Sequence, residues 1–209
     1  MPIYQMVLTM LFVVNPFGCV PIFVSIVKDF EPKRQRLILF RESIFGGILA
    51  LILLWAGKGF LQSIHIEDYA VNLSGGILIF LVAIGMIFPE SHKPVKEKNT
   101  DGPKKEPFVV PIATPLLAGG GFFAVLMNLV NVAPMFDVAL ALVITWLIVI
   151  PVSVSAAYLQ KLLGKRGLLV LEQLMGMMLT MLSIQIILGG INKFLDQDYL
   201  TFANFLISG

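Results

Sequence analysis

Two proline- and glycine-rich segments carry the residues best suited to hold a small ligand. The first is Asn15-Pro16-Phe17-Gly18-Cys19-Val20-Pro21. The second is Pro111-Ile112-Ala113-Thr114-Pro115-Leu116-Leu117-Ala118-Gly119-Gly120-Gly121. Pro16 has no N–H for the carbonyl of Phe12, Pro21 none for Phe17, and Pro115 none for Pro111. Gly18 and the run Gly119–Gly121 admit positive φ and close backbone approach. Each segment therefore predicts two half-helices meeting end to end. The second half-helix of each pair presents unpaired N–H groups and roughly half a positive charge, with Gly18–Val20 and Gly120–Phe122 the expected donors. The first leaves carbonyls near Val13–Val14 and Leu117–Ala118. Donors suit a carboxylate, carbonyls suit an ammonium or a sodium ion, and a zwitterion needs both. Asn15, Gly18, Cys19, Thr114, Gly119, Gly120, Gly121 and Asn128 are the candidate substrate-binding residues. One break alone reads better as a kinked helix packing through glycine. Two breaks in corresponding places favour a site.

Both breaks lie where a membrane-spanning helix belongs. The chain of 209 residues is 57% apolar and 13% charged, with a mean hydropathy of +0.90. Soluble domains carry about 25% charged residues, so this composition predicts an integral membrane protein. Irregular backbone at bilayer depth is tolerated only where protein buries it or a cavity hydrates it. Six spans can be drawn, at about 3–27, 38–61, 69–88, 109–132, 137–160 and 167–191, each close to the roughly 20 residues a bilayer requires. No Lys or Arg precedes Lys28, so the first apolar stretch lacks the charged start of a secretory signal. Residues 89–108 form a polar, lysine- and proline-rich linker. In 192–209, Phe194, Leu195, Tyr199, Leu200, Phe202, Phe205 and Leu206 alternate with polar residues, a pattern suited to an amphipathic helix at the membrane surface.

Thirteen of the fifteen Lys and Arg residues fall in or beside loops 1–2, 3–4 and 5–6, leaving only Lys58 and Lys193 on the other side. The positive-inside rule then makes 89–108 cytoplasmic and places both termini outside. Pro16 and Pro115 are 99 residues apart, and Gly76 and Gly176 are 100 apart. Each half, 1–88 and 109–191, reads as a broken span, a middle span and a glycine-bearing span. An odd number of spans per half inserts the halves in opposite orientations. The expected fold is all-α: six transmembrane helices in a 3+3 inverted repeat, with helices 1 and 4 broken.

Other classes of chemistry find little support. The dispersed basic residues form no nucleic-acid-reading surface. The single Cys19 excludes an intrachain disulfide and a multi-cysteine metal site. No metal-ligand spacing, nucleophile–base pair or phosphate loop occurs, so neither an enzyme nor a cofactor is expected. Glu42 and Glu172, each about a turn inside the cytoplasmic boundary, are candidates to carry a coupling proton. Their plainer roles are a pair with a loop cation for Glu42 and a complement to the start of span 6 for Glu172.

At these residues the chain resembles the MarC family of integral membrane proteins. The matching motifs are Asn15-Pro16-Phe17-Gly18 with Pro21-Ile22-Phe23, Arg41-Glu42, Gly75-Gly76-Ile77-Leu78-Ile79-Phe80, Pro111 to Gly119, Leu174-Met175-Gly176, Gln185 and Gly190-Ile191. The family usually has Gly-Pro where this chain has Gly119-Gly120, and often Arg in place of Gln173. The resemblance implies transport of small neutral amino acids, as by the family's member SnatA. With the zwitterion argument it gives the expected function: a multi-pass inner-membrane secondary transporter of glycine- or alanine-like substrates. Such a transporter would work against the lipid bilayer with a coupling proton or sodium ion, and is compatible with a homo-oligomer. The alternative is a non-transporting membrane protein of the stress-related or assembly-partner type.

Overall fold

The computed structural model describes residues 1–88 and 119–208. Linker 89–108 and the first part of the second break, with Thr114, lie outside the described residues. Seven helices follow in order: α1 (Ile3–Val14), α2 (Val20–Val27), α3 (Pro32–Ser63), α4 (Asp68–Ile87), α5 (Gly120–Val132), α6 (Met135–Val154) and α7 (Ala156–Ser208). Among the described residues, α3, α4, α6 and the Arg166–Asp196 part of α7 are long and apolar enough to cross a membrane. The fold is thus that of an all-α integral membrane protein. Its outward faces agree, since Trp55 is 70%, Met181 73% and Phe136 78% exposed, which a bilayer favours and water does not.

Local sequence explains most boundaries. Helix α3 starts with Pro32 in its first turn, where the missing N–H costs nothing. Its 32 residues span about 48 Å, so the Lys33–Arg36 end extends beyond a hydrocarbon layer of about 30 Å. The expected fifth span stops earlier than 160. Pro151 lies in the last turn of α6, the helix ends at Val154, and Ser155 separates it from α7. The 5–6 connection is itself helical until Gly164, whose φ of 65° only glycine adopts readily. Beyond Gly164, helix α7 continues through residue 192 to Ser208.

Helices α4 and α7 pack antiparallel, and glycine sets their spacing. A Cβ on Gly76 would lie 2.6 Å from Ile187 Cγ1 and 3.2 Å from the Ser183 carbonyl. A Cβ on Gly176 would lie 3.0 Å from both Ile87 Cγ1 and the Ala83 carbonyl. Helix α3 packs on α6, where Trp146 Nε1 donates to the Ser43 carbonyl at 2.8 Å and the indole lies over Gly47. Helix α1 packs against α6 and α5, and α2 against α7. The core therefore collects between the ends of α1 and α5, around Met10, Val14, Phe23, Phe122 and Leu126.

Candidate functional site

Helical geometry stops at Val14 and resumes at Val20. The residue that turns the chain is Asn15, in the left-handed region at φ 46°, ψ 55°. Gly18, the expected positive-φ position, is not among the positive-φ residues. Asparagine tolerates this region because its short side chain can bond the local backbone. Here Asn15 Oδ1 accepts the Gly18 N–H at 3.2 Å. The lack of a Cβ at Gly18 serves close approach instead, since one would collide with Met86 and the Asn15 carboxamide.

The expected donor set changes accordingly. Of Gly18–Val20, the Gly18 amide goes to Asn15 Oδ1, that of Cys19 to the Asn15 carbonyl at 3.1 Å, and that of Val20 to the Phe17 carbonyl at 3.3 Å. This turn satisfies itself, and Val20 supplies Phe17 with the partner that Pro21 withholds. What remains towards the interior is the Asn15 carboxamide, whose Nδ2 faces Met86 Sδ at 3.4 Å. Helix α5 differs. It begins at Gly120 after an extended Gly119 and has no side-chain cap. The N–H groups of Gly120, Gly121 and Phe122 therefore have no partner within their own helix.

These two ends face one small cavity of about 110 Å³. Val13, Val14, Asn15, Cys19 and Ile22 line it from the first break, and Gly119, Gly120, Gly121 and Phe122 from the start of α5. Ile79, Val82 and Met86 of α4 and Leu179 of α7 complete it. Among the described residues, no charged side chain borders it. A Cβ on Gly121 would collide with Ile79, so the α5 backbone approaches closely there. The arrangement offers amides and a helix dipole on one side, a carboxamide and the α1 terminal carbonyls on the other, and apolar walls between them.

Five of the eight candidate residues thus line one cavity: Asn15, Cys19, Gly119, Gly120 and Gly121. Gly18 supports it from behind. Thr114 lies outside the described residues. Asn128 is elsewhere, accepting hydrogen bonds from Asn72 Nδ2 at 3.2 Å and Lys193 Nζ at 2.8 Å. Glu42 is fully buried, with Oε1 held by Arg41 at 3.1 Å. Glu172 is half-buried on α7 and does not border the cavity. Sequence reasoning missed Ile79, Val82, Met86 and Leu179, which look like any other apolar residues of their spans.

A comparison with protein families matches residues 1–195 to the MarC family integral membrane proteins. The chain belongs to the MarC family. As a MarC member it is 37% identical to a UPF0056 membrane protein of Buchnera aphidicola subsp. Baizongia pistaciae, over 91% of this chain and 96% of that one. It is 36% identical to the UPF0056 inner membrane protein YhgN of Escherichia coli K12, over 89% and 94% of the two chains. A Chlamydia pneumoniae UPF0056 membrane protein is 30% identical over 84% and 86%. No solved structure matches. Gly120, where the family usually places proline, is the first residue of α5, the helical position that tolerates proline best.

Proposed function

We propose that this MarC member is a secondary transporter of small neutral amino acids, with its substrate held between Asn15 and the start of α5. The observation that carries the reading is the cavity itself. It is small, borders no charge among the described residues, and joins a helix N-terminus to the carbonyl end of another helix. A carboxylate is stabilised by the Gly120–Phe122 amides and the α5 dipole. An ammonium is stabilised by the Val13 and Val14 carbonyls. A cavity of about 110 Å³ suits a small side chain better than a bulky one.

The transporter architecture that goes with this reading is six spans in a 3+3 inverted repeat, with spans 1 and 4 broken. Several relations support it. Gly76 meets residues 183 and 187, while Gly176 meets residues 83 and 87, a constant offset of 100 across an antiparallel interface. Gly47 and Trp146, 99 apart, touch one another. The helices after the two breaks begin at Val20 and Gly120. Packing of α2 on α7 is mirrored by α5 on α4, and the slight contact of α2 with α3 by that of α5 with α6. In a multi-pass chain of the inner membrane, the basic-residue distribution supports an orientation with both termini external.

Reconstitution into proteoliposomes tests the function. Radiolabelled glycine and alanine should accumulate under an imposed proton or sodium gradient, and leucine and phenylalanine should not. Absence of flux for the whole panel, in folded protein, would leave the non-transporting reading in its place.

A further inference from the structure

Helix α5 carries two asparagines one turn apart, and both are engaged at the end of the bundle remote from the cavity. Asn131 Oδ1 accepts from Lys58 Nζ at 3.1 Å, and its Nδ2 donates to Asp68 Oδ2 at 2.6 Å. Asn128 Oδ1 accepts from Lys193 Nζ at 2.8 Å and from Asn72 Nδ2 at 3.2 Å. One helix is thereby tied to α3 through Lys58, to α4 through Asp68 and Asn72, and to α7 through Lys193. Lys58 and Lys193 are also the two basic residues that the charge distribution places outside.

The ties stand between the cavity and that face. Asn128 and Asn131 lie about 10 and 15 Å along α5 from Gly121. Asn72 lies about 10 Å along α4 from Ile79, in the same direction. The intervening layer is tightly packed, since a Cβ at Gly75 would collide with Ala124 of α5. Above it, a second cavity of about 320 Å³ opens among Lys58, Gln62, His65, Asp68 and Asn131. The same helix therefore presents its amides to the inner cavity at one end and closes the bundle at the other.

We propose that Asn128 and Asn131 are the outer gate residues, and that releasing their ties lets α5 move and opens the Cys19 cavity to the outside. This rests on the transporter reading above. The two asparagines differ in chemistry in a way that makes the gate testable with near-isosteric changes. Asn131→Asp keeps the bond from Lys58 but replaces the donor to Asp68 by a second carboxylate, so the tie of α5 to α4 becomes a repulsion. Asn128→Asp keeps both accepted hydrogen bonds and adds charge attraction to Lys193, so the tie holds.

Cys19 is a native reporter, being the chain's only cysteine and part of the cavity lining. A membrane-impermeant maleimide is added to right-side-out and to inside-out vesicles holding the full chain. Wild-type Cys19 should react slowly from the outer face. Asn131→Asp should raise that rate about tenfold, the population shift expected from losing a hydrogen bond to a charged group. Asn128→Asp should leave it at or below the wild-type rate, and neither change should alter labelling from the inner face. An equal rise in both variants, a rise from both faces, or no rise in Asn131→Asp overturns the proposal. If Asn131→Asp does not fold, Lys58→Met removes the other end of the same tie and must give the rise, and its failure overturns the proposal as well. Flux separates the two readings: the predicted labelling pattern in a protein that carries no amino acid sustains the gate and removes the transporter.

Discussion

Gly76 on α4 and Gly176 on α7 occupy equivalent positions across one antiparallel interface, each taking the other helix where a side chain would not fit. Gly76 meets Ile187 and Ser183, and Gly176 meets Ile87 and Ala83. Small residues drive such packing in bilayers because lipid offers no hydrophobic force to join helices. Gly76→Val and Gly176→Val should each destabilise the bundle by about 1–3 kcal/mol, the usual cost of overpacking. Equivalent environments further require the two losses to agree within about 1 kcal/mol. Denaturant unfolding in detergent micelles measures them, with Gly59→Ala, where a Cβ meets nothing within 4 Å, as the reference. A large loss at one glycine with none at the other would show the equivalence to be geometric only.

The Asn15 turn combines two contributions that mutagenesis can separate. Asn15→Ala loses the bond to the Gly18 amide and leaves at φ 46° a residue with no side-chain group to offset the left-handed conformation. The expected loss is about 2–3 kcal/mol from the two effects together. Asn15→Gly loses the bond but adopts that φ freely, so its loss should be about half as large. Unfolding midpoints of the two variants check the order. Alanine no worse than glycine would mean that the backbone relaxes out of the left-handed region.

Much of this was legible in the sequence. The apolar stretches located the four long helices, with the starts of α4 and α6 within two residues, while α3 begins six residues earlier than expected and α6 ends six residues earlier. Proline and glycine in an apolar stretch located the first break and five of the cavity residues. The errors have a common cause. Reading offered positive φ or close approach at Gly18; the glycine serves the close approach, and the left-handed turn falls one position before Pro16, at the one residue whose side chain can also cap it. It likewise left the Gly18–Val20 amides open, though a turn so short can bond itself. Asn128 was assigned to the ligand because intramembrane amides attract ligands and partner helices alike, and only the positions of Asn72 and Lys193 separate the two uses. Pro151 gave a warning of the early end of α6 that span length overrode.

Gly120 and Gly121 are neighbours with opposite predicted tolerance. Gly120 is the first residue of α5, after an extended Gly119 with ψ 178° that suits a following proline. Gly120→Pro should fold and gain about 0.4–1 kcal/mol by restricting the unfolded chain, with only the mobile tip of Leu78 to displace. It removes one of the three amides that have no partner within α5, so substrate binding should weaken about three- to tenfold. Gly121→Val drives a β-branched side chain into Ile79 and should abolish uptake with protein still in the membrane. Equilibrium binding and thermal melts on both variants test the pair. Wild-type affinity in Gly120→Pro would show that its amide does not face the ligand.

The orientation has its own check. With 13 basic residues on one side and two on the other, reporter fusions within 90–107 should read cytoplasmic and fusions after Lys193 external. Opposite readings at both places would invert the chain. Readings on the same side would remove the odd number of spans between them, and with it the inverted repeat.

Glu42 completes the set, because its two carboxylate oxygens have different surroundings. Oε1 takes two bonds from Arg41, at 3.1 and 3.3 Å, while Oε2 is buried with no hydrogen-bond partner among the described residues. If Glu42 carries the coupling proton of the proposed transporter, Glu42→Gln removes the ionisable group while keeping its shape. The variant should fold and should exchange labelled for unlabelled substrate across the vesicle at a near wild-type rate. It should lose accumulation driven by a pH gradient, which for one coupled proton is about tenfold per pH unit. Accumulation that persists undiminished in Glu42→Gln would take the coupling role away from this residue and leave Glu42 as the partner of Arg41 alone.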